Sequence, residues 1–254
     1  MEKSNDAHYR FGLLGKNIGY SFSRGYFSEK FDSLGLSRHS YENFDLEAID
    51  KCSEIFEQDY LIGLNVTIPY KEAVIPFLQA LDKEAQEIGA VNTICLTPNG
   101  TKGYNTDLIG FRESLRPLLK AHDKKALILG TGGASKAVAY ALNQLDLSFT
   151  YVSRSLKLNQ LTYNDLNSEI LSEYSVIVQC SPVGTYPNIE EAPNLPYAAI
   201  GPNHLLYDLI YNPETTAFLR RGLERGARIK NGLEMLQIQA EAAWKLWNNT
   251  NPTY

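Results

Sequence analysis

Cysteine and histidine are scarce in this chain of 254 residues, and neither is arranged to do chemistry. The three cysteines, Cys52, Cys95 and Cys180, are an odd number, lie far apart and form no C-x-x-C pair. That pattern points to a reducing compartment and against a cysteine zinc site. His8, His39, His122 and His204 are equally scattered, without the H-x-x-x-H spacing of a metal pair, so no metal is expected. No apolar run reaches the ~18 residues of a membrane span, and the N-terminus lacks the apolar core of a signal peptide. The expectation is a cytoplasmic protein without membrane partners. An excess of basic residues is missing too: 24 Lys and Arg stand against 29 Asp and Glu, a net charge of −5. A nucleic-acid partner is therefore not expected. Repeats and low-complexity segments are absent. What remains, 44% hydrophobic and 21% charged residues, describes a globular chain with ample core for one large or two ordinary domains.

The most informative stretch is Asn65-Val66-Thr67-Ile68-Pro69-Tyr70-Lys71. It follows an apolar run, Leu61-Ile62-Gly63-Leu64, that reads as a buried strand. Proline fixes its own φ and has no N–H to lose, so Pro69 suits the first position of a helix. Lys71 then stands at a strand-to-helix junction, its amine placed by rigid backbone. Asn65 and Thr67 alternate with apolar neighbours and share one face. Two polar groups and an ammonium converging on one spot suit a small polyol or carboxylate.

Strands and helices alternate along the chain. Strands are expected at 11–14, 40–46, 61–68, 91–96 and 101–106, the last two joined by the turn Pro98-Asn99-Gly100. Helices are expected at 26–34, with Phe27, Phe31 and Leu34 on one face and Gly35 ending it, at 47–56, from Pro69, and at 82–88. A helix over 108–121, carrying Phe111, Leu115, Leu118 and Leu119, leads into a second unit. There a strand at 124–129 runs into Gly130-Thr131-Gly132-Gly133-Ala134-Ser135, followed by a helix at 136–145 and a strand at 148–152. Further strands fall at 175–179, 205–210 and 227–229, with a helix at 214–225. A closing helix at 233–247 places Leu236, Ala240, Ala243 and Trp244 on one face.

The glycine turn carries the first two glycines of G-x-G-x-x-G, with Ser135 in the third place. Its context, between a strand and a helix, is that of a dinucleotide-binding fold. Glycines there let backbone N–H groups approach a pyrophosphate at a helix N-terminus. The second strand ends at Ser153-Arg154-Ser155, where an NAD site carries an acidic residue for the ribose 2′-hydroxyl. None is present. Arg154 instead suits a 2′-phosphate and the adenine face, with Ser153 and Ser155 offering hydroxyls, so NADP(H) is expected as cofactor.

Further fragments join these two: Gly19-Tyr20-Ser21-Phe22-Ser23, Gly89-Ala90-Val91-Asn92-Thr93, Tyr104-Asn105-Thr106-Asp107, Asp208-Leu209-Ile210-Tyr211-Asn212-Pro213 and Asn231-Gly232-Leu233-Glu234-Met235-Leu236-Gln237-Ile238-Gln239. Together, in this order and over nearly the whole chain, they resemble the shikimate dehydrogenase family. The resemblance implies an α/β chain with an N-terminal substrate domain (1–107, completed by 233–254) and a C-terminal Rossmann-like NADP-binding domain (108–232). It implies a cleft between them, with the last helix returning to the substrate domain. It also implies reversible NADPH-dependent reduction of 3-dehydroshikimate to shikimate, by a monomer or homodimer. Lys71 and Asp107 match the family's catalytic pair. Ser21 and Ser23 match the carboxylate grip, Asn65, Thr67 and Asn92 the hydroxyl side, and Tyr211 and Gln239 further substrate contacts. Gly130, Thr131, Gly132, Gly133, Ala134, Ser153, Arg154 and Ser155 match the cofactor side. Gly232 and Met235 match the segment that meets the nicotinamide, and Pro182-Val183-Gly184 a cofactor-facing loop. Chemistry agrees: hydride addition to a ketone leaves an alkoxide that needs a proton and a positive charge, and an ammonium supplies both. A neighbouring Asp107 carboxylate would keep that ammonium charged and aimed.

Taken singly, plainer roles remain open: Ser21 as a helix cap, Asn92 in a turn, Asp107 as an N-cap, Gln239 solvated, Tyr211 and Met235 as packing. Carboxylate binding by both serines rests on an extended chain that puts Ser21 and Ser23 on one face. Three departures from the family stand out. Arg24 and Phe27 occupy places that often hold proline and histidine. Lys157 is offset from the usual basic position. The stretch 156–173 is too short for the family's helix and strand, so residues 159–166 read as strand or loop and the cofactor domain should be more exposed on one face. Rival readings are an NAD-dependent quinate/shikimate dehydrogenase, a serine hydrolase suggested by Gly19 to Ser23, whose second glycine is missing, and a non-catalytic dinucleotide sensor.

Overall fold

The computed structural model describes residues 8–19, 21–155 and 158–250, so Tyr20 and Lys157 lie outside the described residues. The chain divides into two compact units, one of residues 1–106 and 240–254, the other of residues 107–239.

Unit 1 runs β1 (Tyr9–Gly15), α1 (Phe22–Ser33), β2 (His39–Asp45), α2 (Cys52–Phe56), β3 (Leu61–Val66), α3 (Tyr70–Ala73), β4 (Ala80–Leu81), α4 (Lys83–Ile88), β5 (Thr93–Thr97) and β6 (Gly100–Tyr104). Its strands form one sheet in the order β2-β1-β3-β5-β6-β4. β1 pairs parallel with both β2 and β3, while β5 runs antiparallel to β3 and β6. The 91–96 strand therefore starts two residues late, at Thr93, and the short edge strand β4 was not legible. α1 begins at Phe22, not at residue 26, because Ser21 caps it: the Ser21 Oγ accepts the Ser23 N–H at 3.2 Å. Phe27 and Phe31 are buried as expected, but Leu34 is the C-cap and 53% exposed; Gly35 follows with φ 67°. Pro69 is the N-cap of α3 rather than its first residue.

Unit 2 runs α5 (Asp107–Leu115), β7 (Lys125–Leu129), α6 (Gly133–Gln144), β8 (Ser148–Ser153), β9 (Gln160–Thr162), α7 (Ser168–Glu173), β10 (Val176–Gln179), β11 (Leu205–Asp208), α8 (Ala217–Leu223) and β12 (Arg228–Lys230). Every pairing in its sheet, ordered β12-β11-β10-β7-β8-β9, is parallel. Strand order reverses beside β7, which makes the carboxyl ends of β7 and β10 the switch point of a doubly wound fold. α5 stops at Leu115, ahead of Pro117, and a 3-10 turn (Arg116–Leu118) replaces the rest of the longer helix expected there. Between β8 and β9 no described residue is helical, and the helix this stretch retains, α7, follows β9. Phe149 and Tyr151, neighbours on one face of β8 with ring centroids 5.5 Å apart, stay half-buried.

α9 (Leu233–Thr250) belongs to unit 2 up to Gln239 and to unit 1 from Ala240. The buried residues along it are Met235, Gln239, Ala240, Ala243 and Trp247, whereas Leu236 and Trp244 of the expected face are half-buried. In unit 1 it completes an aromatic core: Trp247 lies 5.0 Å from Phe11 and 5.3 Å from Phe27, and Glu241 takes Lys30 at 2.7 Å together with the Tyr26 hydroxyl. The indole fits because Gly63 on β3 has no side chain. A Cβ there would stand 2.1 Å from Trp247 Nε1, which donates to the Ile94 carbonyl at 3.0 Å. Gly63→Ala is therefore expected to cost ~1–3 kcal/mol, the usual range for overpacking a core. Urea denaturation measures it, and an unchanged midpoint would contradict this packing.

Candidate functional site

In unit 1 the expected site residues gather at the carboxyl ends of β1 and β3. Lys71 sits in the first turn of α3, and that turn is held from two sides. The Tyr70 hydroxyl donates to the Leu46 carbonyl at 2.6 Å, and the Lys71 carbonyl accepts the Val91 N–H at 2.7 Å. The next residue, Asn92, accepts the Val66 N–H on its own carbonyl at 2.8 Å. The lysine and Asn92 are thus fastened to one piece of backbone. Thr67, just beyond β3, donates its N–H to Leu14 at 2.9 Å.

Behind them lies a buried polar network. Asn65, 5% exposed, accepts the Tyr41 hydroxyl at 2.8 Å and donates to Thr93 Oγ1 at 3.3 Å. Thr93 reaches Thr106 Oγ1 at 3.1 Å. Asn92, 3% exposed, accepts the Thr106 N–H at 2.6 Å and donates to its hydroxyl at 3.0 Å. Tyr41, Thr93 and Thr106 were not singled out as site residues. They lie on β2, on β5 and after β6, and only strand register brings them to Asn65 and Asn92. Buried polar side chains need partners to repay desolvation, and a closed network also fixes which way each amide points.

Ser21 and Ser23 do not share a face of an extended chain. Ser21 is the N-cap and Ser23 lies in the first turn of α1. Capping uses a lone pair of Ser21, leaving its hydroxyl proton to be donated elsewhere.

In unit 2 the glycine turn sits at the switch point. The Gly130 N–H donates to Val152, one residue before Ser153, and the Cys180 N–H donates to Leu129, both at 2.9 Å. Gly130 has φ 107°, which disfavours any side chain, and a Cβ there would come within 3.3 Å of the Ser181 amide. Gly132 differs: its φ is −80° and a Cβ would meet no heavy atom within 4 Å. Nothing in the protein forces glycine at 132. Bare backbone at the N-terminus of the 12-residue α6 fits the close approach of an anionic group such as a pyrophosphate. Ser135, in the third glycine's place, is buried and donates back to the Gly132 carbonyl at 2.6 Å. Thr131 is exposed on this turn, and Gly133 and Ala134 open the helix.

Arg154 and Ser155 are exposed beyond β8, whereas the Ser153 hydroxyl donates to the Ser155 carbonyl. Ser153 thus shapes the turn, its one hydroxyl proton already spent there. The Pro182-Val183-Gly184 loop is shaped by Gln179, fully buried at the end of β10. Its amide oxygen accepts the Ser181 hydroxyl at 3.1 Å, and its nitrogen donates to the Val183 carbonyl at 3.4 Å. Gln179 was missed, although a polar residue closing Val176-Ile177-Val178 was a readable signal.

Asp208 plays the same part for the Tyr211 segment. It is fully buried at the end of β11, accepting the Ile210 N–H at 3.0 Å and the Thr216 hydroxyl at 2.6 Å. Gly232 packs against that segment: its N–H donates to Ile210 at 3.0 Å, and a Cβ would stand 2.1 Å from the Leu209 oxygen. Met235 is buried with its carbonyl against Gly110, and Gln239 donates to Leu236 at 3.0 Å. Asp107, 7% exposed, is the first residue of α5 rather than its cap, where its charge suits the helix dipole. Among the described residues no His, Cys, Asp and Glu group could hold a metal, and no helix is long and apolar enough to cross a membrane.

Burial pushes the Asp208 carboxyl up to about 7, against the opposing hydrogen bonds from Thr216 and Ile210. A carboxyl whose folded pKa exceeds its unfolded one resists ionisation in the fold, so this group lowers stability as pH rises from about 4 to about 7 and adds no further change above that. The stability of the wild type relative to Asp208→Asn is expected to decline over that window and then level. Thermal midpoints of both proteins at several pH values measure it; a constant difference would show that Asp208 ionises as freely in the fold as outside it.

Comparison with known proteins bears on the same residues. The model of the shikimate dehydrogenase substrate binding domain matches residues 13–94. A protein of Staphylococcus aureus named shikimate dehydrogenase (NADP(+)) is 35% identical over 252 residues, covering 94% of this chain and 92% of its own length. The crystal structure of shikimate dehydrogenase 1 from Peptoclostridium difficile, 34% identical, gives a TM-score of 0.81 over 95% of this chain and 92% of that one. That of Thermus thermophilus shikimate 5-dehydrogenase in complex with NADP(H) and shikimate, 31% identical, gives 0.83 over 95% and 94%. With relatives matching it over nearly their full length, the chain belongs to the shikimate dehydrogenase family.

Proposed function

We propose that this chain catalyses the reversible, NADPH-dependent reduction of 3-dehydroshikimate to shikimate. The observation that carries this reading is the setting of Lys71, in a helical turn bonded to Leu46 and to Val91, the residue that precedes Asn92 and its network. An ammonium held by backbone beside hydroxyl-binding amides is the acid that a ketone reduction on a small polyol requires.

The roles divide between the two units. In unit 1 the hydroxyls of Ser21 and Ser23 donate to the substrate carboxylate, helped by the N-terminal end of the 12-residue α1. Asn65, Thr67 and Asn92 bind the ring hydroxyls. In unit 2, Tyr211, on the segment fastened by Asp208 and Gly232, and Gln239 complete the substrate contacts. The amides of Thr131, Gly132, Gly133 and Ala134 hold the NADP pyrophosphate, on a turn that the positive φ of Gly130 shapes. Arg154 and Ser155 hold its 2′-phosphate, on a turn that Ser153 shapes, and Gly232 and Met235 border the nicotinamide. NADPH, when held there, would supply the hydride that the carbonyl carbon receives. Lys71 stabilises the oxygen as it gains charge and gives it a proton; in the oxidising direction the neutral amine takes that proton back. Asp107 is the second member of the catalytic pair.

Steady-state assays with shikimate and quinate against NADP⁺ and NAD⁺ test the whole reading. Turnover of shikimate with NADP⁺ is expected, and its absence would refute the proposal. Lys71→Ala is expected to lower kcat by ~10²–10⁴-fold with little change in the shikimate KM. A variant keeping more than a tenth of the rate would remove the lysine from its role. Arg154→Ala should raise KM for NADP⁺ far more than for NAD⁺, since a charge-assisted phosphate contact is worth roughly 1.5–3 kcal/mol. Equal losses would place the 2′-phosphate elsewhere.

A further inference from the structure

Thr93 is the first residue of β5 and has no solvent contact. It stands opposite Asn65 of β3 in the antiparallel register. The adjacent Val66 N–H bonds the Asn92 carbonyl at 2.8 Å, so Asn65 and Thr93 form a pair without main-chain bonds between them, the kind whose side chains lie closest. The Thr93 hydroxyl oxygen accepts Asn65 Nδ2 at 3.3 Å, and an amide nitrogen can only donate. The hydroxyl's own proton has two acceptors in reach, Asn92 Oδ1 at 3.2 Å and Thr106 Oγ1 at 3.1 Å. Both lead to the same amide, because Thr106 Oγ1 itself accepts Asn92 Nδ2 at 3.0 Å. One hydroxyl therefore takes a proton from Asn65 and gives one toward Asn92.

We propose that Thr93 is a positioning residue of the substrate site, whose hydroxyl fixes the spacing and direction of the Asn65 and Asn92 amides together. The inference rests on the reading that these two amides bind the ring hydroxyls of shikimate. Hydroxyls on a small ring stand at set distances, so the groups that bind them must hold a matching separation. The two amides leave the backbone from different segments, Asn65 from β3 and Asn92 from the residue before β5. Thr93 joins them at their polar ends. Its β-branched side chain is stiff about χ1, and three hydrogen-bond partners hold its hydroxyl. Each amide is also aimed from behind, Asn65 Oδ1 by the Tyr41 hydroxyl at 2.8 Å and Asn92 Oδ1 by the Thr106 N–H at 2.6 Å. Reversing Asn92 would set its nitrogen against that N–H, donor to donor, so its direction is fixed. The hydroxyl that gives its proton to that side can only accept from Asn65.

Thr93→Val keeps the branched shape and removes the hydroxyl. It is expected to raise the shikimate KM ~10-fold, the share of about one hydrogen bond, with kcat within ~3-fold and the NADP⁺ KM unchanged. Thr93→Ser, which keeps the hydroxyl, should recover at least ~3-fold of that rise. A lowered thermal midpoint with an unshifted shikimate KM in Thr93→Val would show that the hydroxyl merely satisfies buried amides, and would overturn the proposal; so would a rise that Thr93→Ser does not recover. A double-mutant cycle leaves Thr93 in place, so it stands even if Thr93→Val folds poorly. Asn92→Ala keeps the backbone carbonyl that takes Asn65 Nδ2 at 3.4 Å, so coupling between the two side chains passes through Thr93. Asn65→Ala and Asn92→Ala combined should raise the shikimate KM by at least ~3-fold less than the product of their separate effects. A plain product would overturn the role. A wild type inactive on shikimate refutes the functional reading and the role of Thr93 with it; an active wild type with an unshifted Thr93→Val refutes the role alone.

Discussion

Much of unit 1 hangs on the side chain of Asn92. Almost without solvent contact, it holds the N–H and the hydroxyl of Thr106, while its backbone carbonyl takes the N–H of Val66. One residue thereby fixes the end of β3 and the last residue of the unit's N-terminal stretch. An amide buried this deeply costs several kcal/mol if its groups go unpaired, so the positions it joins are strongly determined. Asn65, Thr93 and Tyr41 extend the same network across the sheet. The preceding Val91 binds the backbone of Lys71. Geometry at the lysine is in this sense a property of the sheet rather than of a loop.

Unit 2 solves a comparable problem with polar residues that end apolar strands. Gln179 closes β10 and Asp208 closes β11, and each folds the loop that follows it by bonding to backbone two to four residues on, Asp208 also holding Thr216. At the switch point these loops and the glycine turn are laid side by side by main-chain bonds from Gly130 to Val152 and from Cys180 to Leu129. The contrast between the two glycines is instructive. Gly130 is required by its own backbone conformation and by Ser181, whereas Gly132 is required by nothing in the chain. Its smallness suits the close approach of an anionic group to the N-terminus of α6.

Local patterns carried most of this into the sequence. Apolar runs gave most of the strands of both units, the glycine turn gave the strand–turn–helix opening of a doubly wound fold, and the shortness of 156–173 gave the missing helix after β8. Misreadings came where side-chain chemistry outweighed periodicity: Ser21 starts α1 one turn early, Pro69 caps α3 instead of opening it, and Pro117 cuts α5 short. The expected face of α9 holds in unit 1, where Ala240 and Ala243 are buried and Trp244 packs on the same core, but it left out Trp247 and the Met235–Gln239 stripe of the first half. Tyr41, Thr93 and Thr106 were beyond reach for a deeper reason. Their partners are set by strand register and by a phenol crossing β1, relations that no local window contains.

The serines show how two readings of one residue can both hold. Capping asks Ser21 for a lone pair, which it gives to the Ser23 N–H. Gripping an anion asks for a proton. A serine hydroxyl has one proton to donate and two lone pairs to offer, so the cap leaves the donor intact. The cap also fixes the first turn of α1 and with it the direction of Ser23. Ser153 is the converse. Its single proton goes to the Ser155 carbonyl, so its chemistry is consumed in building a turn that leaves Arg154 exposed. Which serine keeps a proton to donate and which only shapes is decided by where that proton points.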